Sequence, residues 1–163
     1  MDADIVSAAR RVIERCIAER LTIATAESCT GGLVAGALTE IAGSSAAVLC
    51  GFVTYSNEAK EAMLGVPAQT LLDHGAVSRQ TAEAMAEGAL AHSNAAISVS
   101  ITGIAGPGGG TPAKPVGLVH FGASKRNGRT ITREERFGDL GRSEVRRRAV
   151  RVALEMLEEI AAS

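Results

Sequence analysis

Hydrophobic residues recur at helical spacing near both ends of the chain. Over residues 3–20, Ile5, Val12 and Cys16 fall on one face of a helix, and charged side chains fill the opposite face. Residues 143–160 show the same pattern, with an apolar stripe on one side. Both segments are therefore predicted to be amphipathic helices.

Short apolar runs between these two helices have the character of buried strands. In chain order they are residues 21–26, 48–55 and 95–101. Segments of helical character lie between these runs. Residues 30–41 follow the first run, and a short helix that contains Lys60 and then residues 78–92 follow the second. Alternation of strands and helices is typical of α/β proteins with parallel strands.

A hairpin is predicted in the second half of the chain. Residues 116–123 and 129–137 flank a turn that contains Asn127-Gly128, and Asn-Gly is the strongest short-range hairpin signal. Charges over residues 133–136 suit an edge strand better than a central one. The expected fold class is α/β: a single three-layer α/β/α sandwich on a mixed β-sheet, with residues 1–163 as one domain.

Composition argues against several classes of protein. Of the 163 residues 46% are hydrophobic but only 2% are aromatic, so stacking platforms for single-stranded nucleic acid are not expected. A formal net charge of −1 gives no reason to expect nucleic-acid binding. No apolar run approaches the length of a membrane span, and the N-terminal residues lack the features of a signal peptide. We expect a cytoplasmic protein with no nucleic-acid or membrane partner.

Cysteine and histidine are too sparse to suggest a metal site. The three cysteines, Cys16, Cys29 and Cys50, lack CxxC spacing, and the three histidines form no HExxH pattern. We expect free thiols, no metal and no cofactor.

Ser28 lies in the first of three loops that follow the predicted strands, where ligands bind in open α/β sheets. A serine at a strand-to-helix turn can project its hydroxyl, and the helix N-terminus offers N–H groups to a developing oxyanion. Two alternatives stay open. Ser28 or Thr30 could merely cap the helix, and Cys29 could be the nucleophile, favoured by the helix dipole.

The second loop, residues 51–60, contains Tyr55 and Lys60. A desolvated lysine can lose its proton and serve as the base for a serine nucleophile. The alternative is a solvated lysine on a helix face and a tyrosine in the core.

Glycine is abundant in the third loop, residues 98–110, and lets backbone N–H groups approach an anion or a carbonyl closely. The pattern matches neither the Rossmann nor the Walker A motif, and a flexible surface loop is the alternative. Arginines then crowd the start of the last helix, at Arg142, Arg146, Arg147, Arg148 and Arg151. Cations there oppose the helix macrodipole, so a local anion would help to justify them. Solvated arginines in salt bridges are the alternative.

Five motifs in order give the chain a family resemblance. They are residues 25–32 (TAESCTGG), 51–60 (GFVTYSNEAK), 74–78 (HGAVS), 102–107 (TGIAGP) and 114–117 (KPVG). Together they resemble the C-terminal domain of the competence/damage-inducible protein CinA, whose stand-alone forms are nicotinamide-nucleotide amidases. The resemblance extends from about Ile5 to Ile160.

The resemblance implies metal-free hydrolysis of nicotinamide mononucleotide to nicotinate mononucleotide and ammonia. It implies a serine nucleophile with lysine and tyrosine partners, which map onto Ser28, Lys60 and Tyr55. The family's arginine near the last helix maps onto Arg142. The Gly-Asp stretch before Arg142 is one residue longer here than in the family pattern, which leaves Arg146 as the alternative.

Contacts with the substrate are expected from backbone and side chains of all three loops and of the last helix. The candidates are Cys29, Thr30, Gly31, Gly32, Thr102, Gly103, Gly106 and Arg142. Amides near residues 29–32 or 102–103 would hold the oxyanion, and the residue 103–110 loop with Arg142 would hold the phosphate. The partner is thus a small-molecule nucleotide, and we also expect a homo-oligomer. The alternative function is a non-catalytic nucleotide-sensing or interaction domain of the same family.

Overall fold

The computed structural model describes residues 1–163 and contains one five-stranded mixed sheet flanked by helices, a three-layer α/β/α arrangement. The helices are α1 (Ala3–Glu19), α2 (Leu33–Thr39), α3 (Asn57–Leu64), α4 (Ala68–His74), α5 (Arg79–Ala91) and α6 (Arg142–Ala162). The strands are β1 (Ile23–Glu27), β2 (Val48–Val53), β3 (Ile97–Gly103), β4 (Leu118–Lys125) and β5 (Thr130–Arg136). The predicted fold class is confirmed.

Strand order in the sheet is β2-β1-β3-β4-β5. The first three of these are parallel, and β4 and β5 continue the sheet in antiparallel fashion. Because parallel strands end at the same edge of a sheet, the loops after β1, β2 and β3 meet there. β1 is the middle strand of the three, so the residues that follow it lie between the other two loops.

Aliphatic side chains fill both faces of the sheet. A large cluster joins α1, α2 and α6 to one face, and α5 with α3 covers the other. Small residues let α5 pack closely against the sheet. A Cβ at Gly122 on β4 would lie only 2.6 Å from the carbonyl oxygen of Ala82 on α5. None of the helices is both long and apolar enough to cross a membrane.

Three details of the sequence prediction are wrong. Helix α2 begins at Leu33 rather than residue 30, because Gly31 and Gly32 adopt positive φ angles of 57° and 101° and form a turn. Helix α4 was not predicted, since seven residues carry too little periodic pattern. Strand β2 is not buried: it is an edge strand whose alternate residues are exposed.

The predicted hairpin is confirmed. β4 and β5 pair antiparallel, and Asn127 in the connecting turn has φ 56°, a conformation that asparagine tolerates. β5, with its charged residues, is the other edge of the sheet, as the charge pattern indicated.

Candidate active site

Ser28 and Lys60 meet at the carboxyl edge of the parallel strands. Lys60 Nζ donates hydrogen bonds to Ser28 Oγ at 3.1 Å and to the Thr54 carbonyl oxygen at 2.9 Å. Both of these partners are uncharged oxygens. The two side chains are therefore within hydrogen-bond distance of each other, and the interpretation of Lys60 as a solvated helix-face residue is wrong.

Burial lowers the pKa of Lys60. The residue is only 1% exposed, although it belongs to a short helix near the surface. Desolvation disfavours the ammonium form and lowers the pKa of Lys60 below the ordinary lysine value. A lysine whose pKa is lowered in this way can act as a general base for a neighbouring hydroxyl.

A cavity of about 270 Å³ opens in front of this pair. Ser28 and Lys60 are buried in its wall, whereas Tyr55 is 61% exposed and lies at the rim. The other lining residues come from all three loops and from α6; among them are Cys29, Ala76, Val77, Thr102, Gly103, Ala105, Gly106 and Arg142. No acidic side chain lines the cavity, and both of its charged residues are basic.

Arg142 connects two of the loops at the rim. Its Nη1 donates to the Gly106 carbonyl oxygen and its Nη2 to Tyr55 Oη, each at 2.8 Å. Tyr55 follows β2 by two residues instead of ending it, and its hydroxyl contacts Arg142 rather than Ser28 or Lys60. The catalytic role of Tyr55 stays a prediction.

Three expected substrate contacts are not among the residues that line the cavity. Thr30 is fully buried, and its hydroxyl donates to Glu27 Oε1 at 2.6 Å. Gly31 and Gly32 form the turn into α2, where added Cβ atoms would face Arg146 and Val53. The three residues shape the turn, and their direct contact with a ligand stays a prediction.

Glu27 was given no role from the sequence, yet it organises this turn. Its fully buried carboxylate accepts hydrogen bonds from the amides of Val34 at 2.9 Å and Ala35 at 3.1 Å, besides the Thr30 hydroxyl. These amides belong to the first turn of α2, so the carboxylate satisfies donors that the helix leaves free. The sequence signal for this role was an acidic residue at the end of a short buried strand that carries no other ionisable side chain.

Arg146 does not reach the cavity. Its Nε donates to the Cys29 carbonyl oxygen at 3.0 Å, and its Nη2 lies 3.4 Å from the Thr30 carbonyl oxygen. Both backbone contacts hold the guanidinium outside the cavity, which favours Arg142 over Arg146 as the phosphate ligand.

Cys29 is disfavoured as a nucleophile. It is 5% exposed, and burial raises the pKa of its thiol to about 12. The thiolate is the reactive form of cysteine, so at neutral pH Cys29 is present almost entirely as the unreactive thiol. No group of three His, Cys, Asp or Glu side chains suited to a metal ion is present.

This arrangement defines an α/β protein with a buried serine–lysine pair facing a basic cavity. The CinA C-terminal domain model matches residues 6–161. The chain is 50% identical to "Nicotinamide-nucleotide amidohydrolase PncC" of Escherichia coli (strain K12), over 96% of this chain and 94% of that protein. The crystal structure of "competence/damage inducible protein CihA" from Agrobacterium tumefaciens superposes with a TM-score of 0.97 at 58% identity, over 98% of this chain and 97% of that one. The chain belongs to the CinA C-terminal domain family.

Other curated relatives are longer. The "CinA-like protein" of Mycobacterium sp. (strain JLS) is 56% identical over 83% of this chain, but the match covers only 32% of that protein. The chain therefore spans about a third of the length of the first such relatives.

Proposed function

We propose that this protein hydrolyses the carboxamide of nicotinamide mononucleotide, releasing ammonia and nicotinate mononucleotide. The observation that carries the proposal is the 3.1 Å contact between Ser28 Oγ and the buried Lys60 amine at the wall of a basic cavity. Similarity to a nicotinamide-nucleotide amidohydrolase over nearly the whole of both chains supports the choice of substrate.

Acylation begins with Lys60 in its neutral form. Its amine takes the proton of Ser28 as Oγ attacks the carboxamide carbon, and the carbonyl oxygen becomes an oxyanion. Amides of Cys29 and Gly103, both on the cavity wall, are the candidates to hold this oxyanion. The Lys60 ammonium then gives its proton to the departing nitrogen, the C–N bond breaks, and ammonia leaves. A nicotinoyl ester on Ser28 remains.

In deacylation, water is the nucleophile and Ser28 is the leaving group. Water gives a proton to neutral Lys60 and attacks the ester carbon, and the C–O bond to Ser28 breaks with return of the proton to Oγ. The products are nicotinate mononucleotide and free Ser28. This cycle needs one base near the nucleophile, and the position of Lys60 supports that assignment without a relay through Tyr55.

Arg142 is the proposed phosphate ligand. A nucleotide phosphate carries up to two negative charges, while the cavity contains no carboxylate to repel it. The guanidinium at the rim presents the forked donors that suit phosphate oxygens. On binding, the phosphate would replace Tyr55 Oη and the Gly106 carbonyl as partners of Arg142.

Ammonia release from purified protein tests the proposal. With nicotinamide mononucleotide, we expect equimolar ammonia and nicotinate mononucleotide, and much slower turnover of nicotinamide riboside and free nicotinamide. Binding of the mononucleotide without any ammonia release would refute the enzyme assignment and indicate a nucleotide-sensing domain.

A further inference from the structure

We propose that Arg146 is a positioning residue that fixes the Cys29 amide as an oxyanion donor. The inference rests on the proposed function and concerns a side chain outside the cavity. Cys29 follows the nucleophile directly, and the amide of the residue after a nucleophile commonly forms part of an oxyanion hole.

Hydrogen bonds fix both peptide groups that flank Cys29. The Ser28 carbonyl oxygen accepts from the Gly31 amide at 3.0 Å, and the Cys29 carbonyl oxygen accepts from Arg146 Nε at 3.0 Å. A trans peptide group is planar, with its N–H and C=O pointing in opposite directions. The Cys29 N–H belongs to the same peptide group as the Ser28 carbonyl, so the hydrogen bond from the Gly31 amide sets its direction. Arg146 acts one peptide group further on: it holds the Cys29 carbonyl and lies against Gly31, and so keeps the turn in the shape that brings the Gly31 amide to the Ser28 carbonyl.

The Cys29 amide donates no hydrogen bond to a main-chain acceptor. Cys29 lies on the cavity wall beside Ser28, whereas Arg146 contacts the turn from the carbonyl side. An added Cβ at Gly31, where φ is +57°, would lie 3.4 Å from Arg146 Nη2, so the guanidinium packs closely against the turn. A preorganised donor of this kind costs no reorganisation when charge develops.

Lysine cannot reproduce this contact, because an ammonium group lacks the planar fork that reaches two carbonyl oxygens. Arg146→Lys retains the positive charge and the aliphatic stem, so it changes the geometry with the least disturbance of packing. Arg148→Lys is the matched control, since Arg148 lies on the same helix, is exposed, and contacts only Glu144.

Steady-state ammonia release from nicotinamide mononucleotide separates kcat from KM for these variants. Removal of one oxyanion donor costs about 10²–10³ in kcat, and misalignment should cost part of that, about 10- to 100-fold. We expect Arg146→Lys to show this loss with KM within about twofold of wild type, and Arg148→Lys to match wild type. An unchanged kcat, or a rise in KM alone, would overturn the proposal.

A second readout separates positioning from a general loss of structure. The aldehyde analogue of nicotinamide mononucleotide can add to Ser28 and place a negative oxygen in the oxyanion site, whereas nicotinate mononucleotide cannot. Arg146→Lys should weaken aldehyde inhibition by about the factor lost in kcat and leave product inhibition nearly unchanged. Equal weakening of both inhibitors would overturn the proposal. Absence of activity in the wild-type protein would instead contradict the proposed function.

Discussion

Glu27 offers a sharp test of how the nucleophile turn is stabilised. Its carboxylate is fully buried and receives three hydrogen bonds, two from the first turn of α2 and one from Thr30. In Glu27→Gln, Oε1 can still accept from Thr30 and Val34. The second oxygen becomes an NH₂ group that faces the Ala35 amide, so two donors meet and one half-buried backbone donor is left without a partner.

The expected cost follows from two effects. A hydrogen bond to a charged group is worth about 1.5–3 kcal/mol, and the loss of a negative charge at a helix N-terminus costs a further 0.3–1 kcal/mol or so. We take about 3 kcal/mol for the sum. For a chain of this size each kcal/mol shifts Tm by about 2–4 °C, so Glu27→Gln should unfold about 6–12 °C below wild type.

Thermal and urea unfolding, followed by far-UV circular dichroism, measure this loss. Glu58→Gln is the matched control, because Glu58 is also in the first turn of a helix, α3, but is exposed. We expect that control to lower the free energy of unfolding by less than about 1 kcal/mol. If Glu27→Gln and the control unfold within a degree or so of each other, the buried carboxylate does not stabilise the turn as argued.

Further predictions concern the cavity. Because burial lowers the pKa of Lys60, kcat/KM should rise with pH as the neutral amine forms, with a midpoint below the ordinary lysine value of about 10.4; a rate that falls over this range would contradict a lysine base. Cys29→Ser should keep most of its activity, since the pKa of about 12 leaves this thiol protonated; an inactive variant with intact fold would reopen the cysteine mechanism. Arg142→Ala should lower kcat/KM for nicotinamide mononucleotide about ten- to a hundredfold, mainly through KM, and affect the riboside little. Equal losses for both substrates would place Arg142 at the carboxamide instead.

Periodicity and turn residues were enough to predict most of the fold. Apolar spacing located α1 and α6, and Asn127-Gly128 located the hairpin, because these signals are local. The position of β2 at the sheet edge was not predictable in this way: its uncharged sequence is typical of a buried strand, and strand order depends on contacts distant in the sequence.

For the site, sequence motifs identified the residues but not their geometry. Ser28 and Lys60 are 32 positions apart, and only the parallel pairing of β1 with β2 brings their loops together. The sequence did not show that Arg146 donates hydrogen bonds to backbone carbonyls. Five arginines lie near the start of the last helix, and their spacing alone does not distinguish one from another. The expected homo-oligomer, cytoplasmic location and independence from metal remain predictions.

The central claim is that Ser28 is the nucleophile, and the rate of ammonia release from nicotinamide mononucleotide by Ser28→Ala tests it most directly. Ser7→Ala, which changes an exposed serine on α1, is the control. We expect Ser28→Ala to lose at least about a thousandfold in kcat, by analogy with removal of the nucleophile from other serine hydrolases, while unfolding at nearly the wild-type temperature. Retention of activity within about tenfold of wild type would contradict the account.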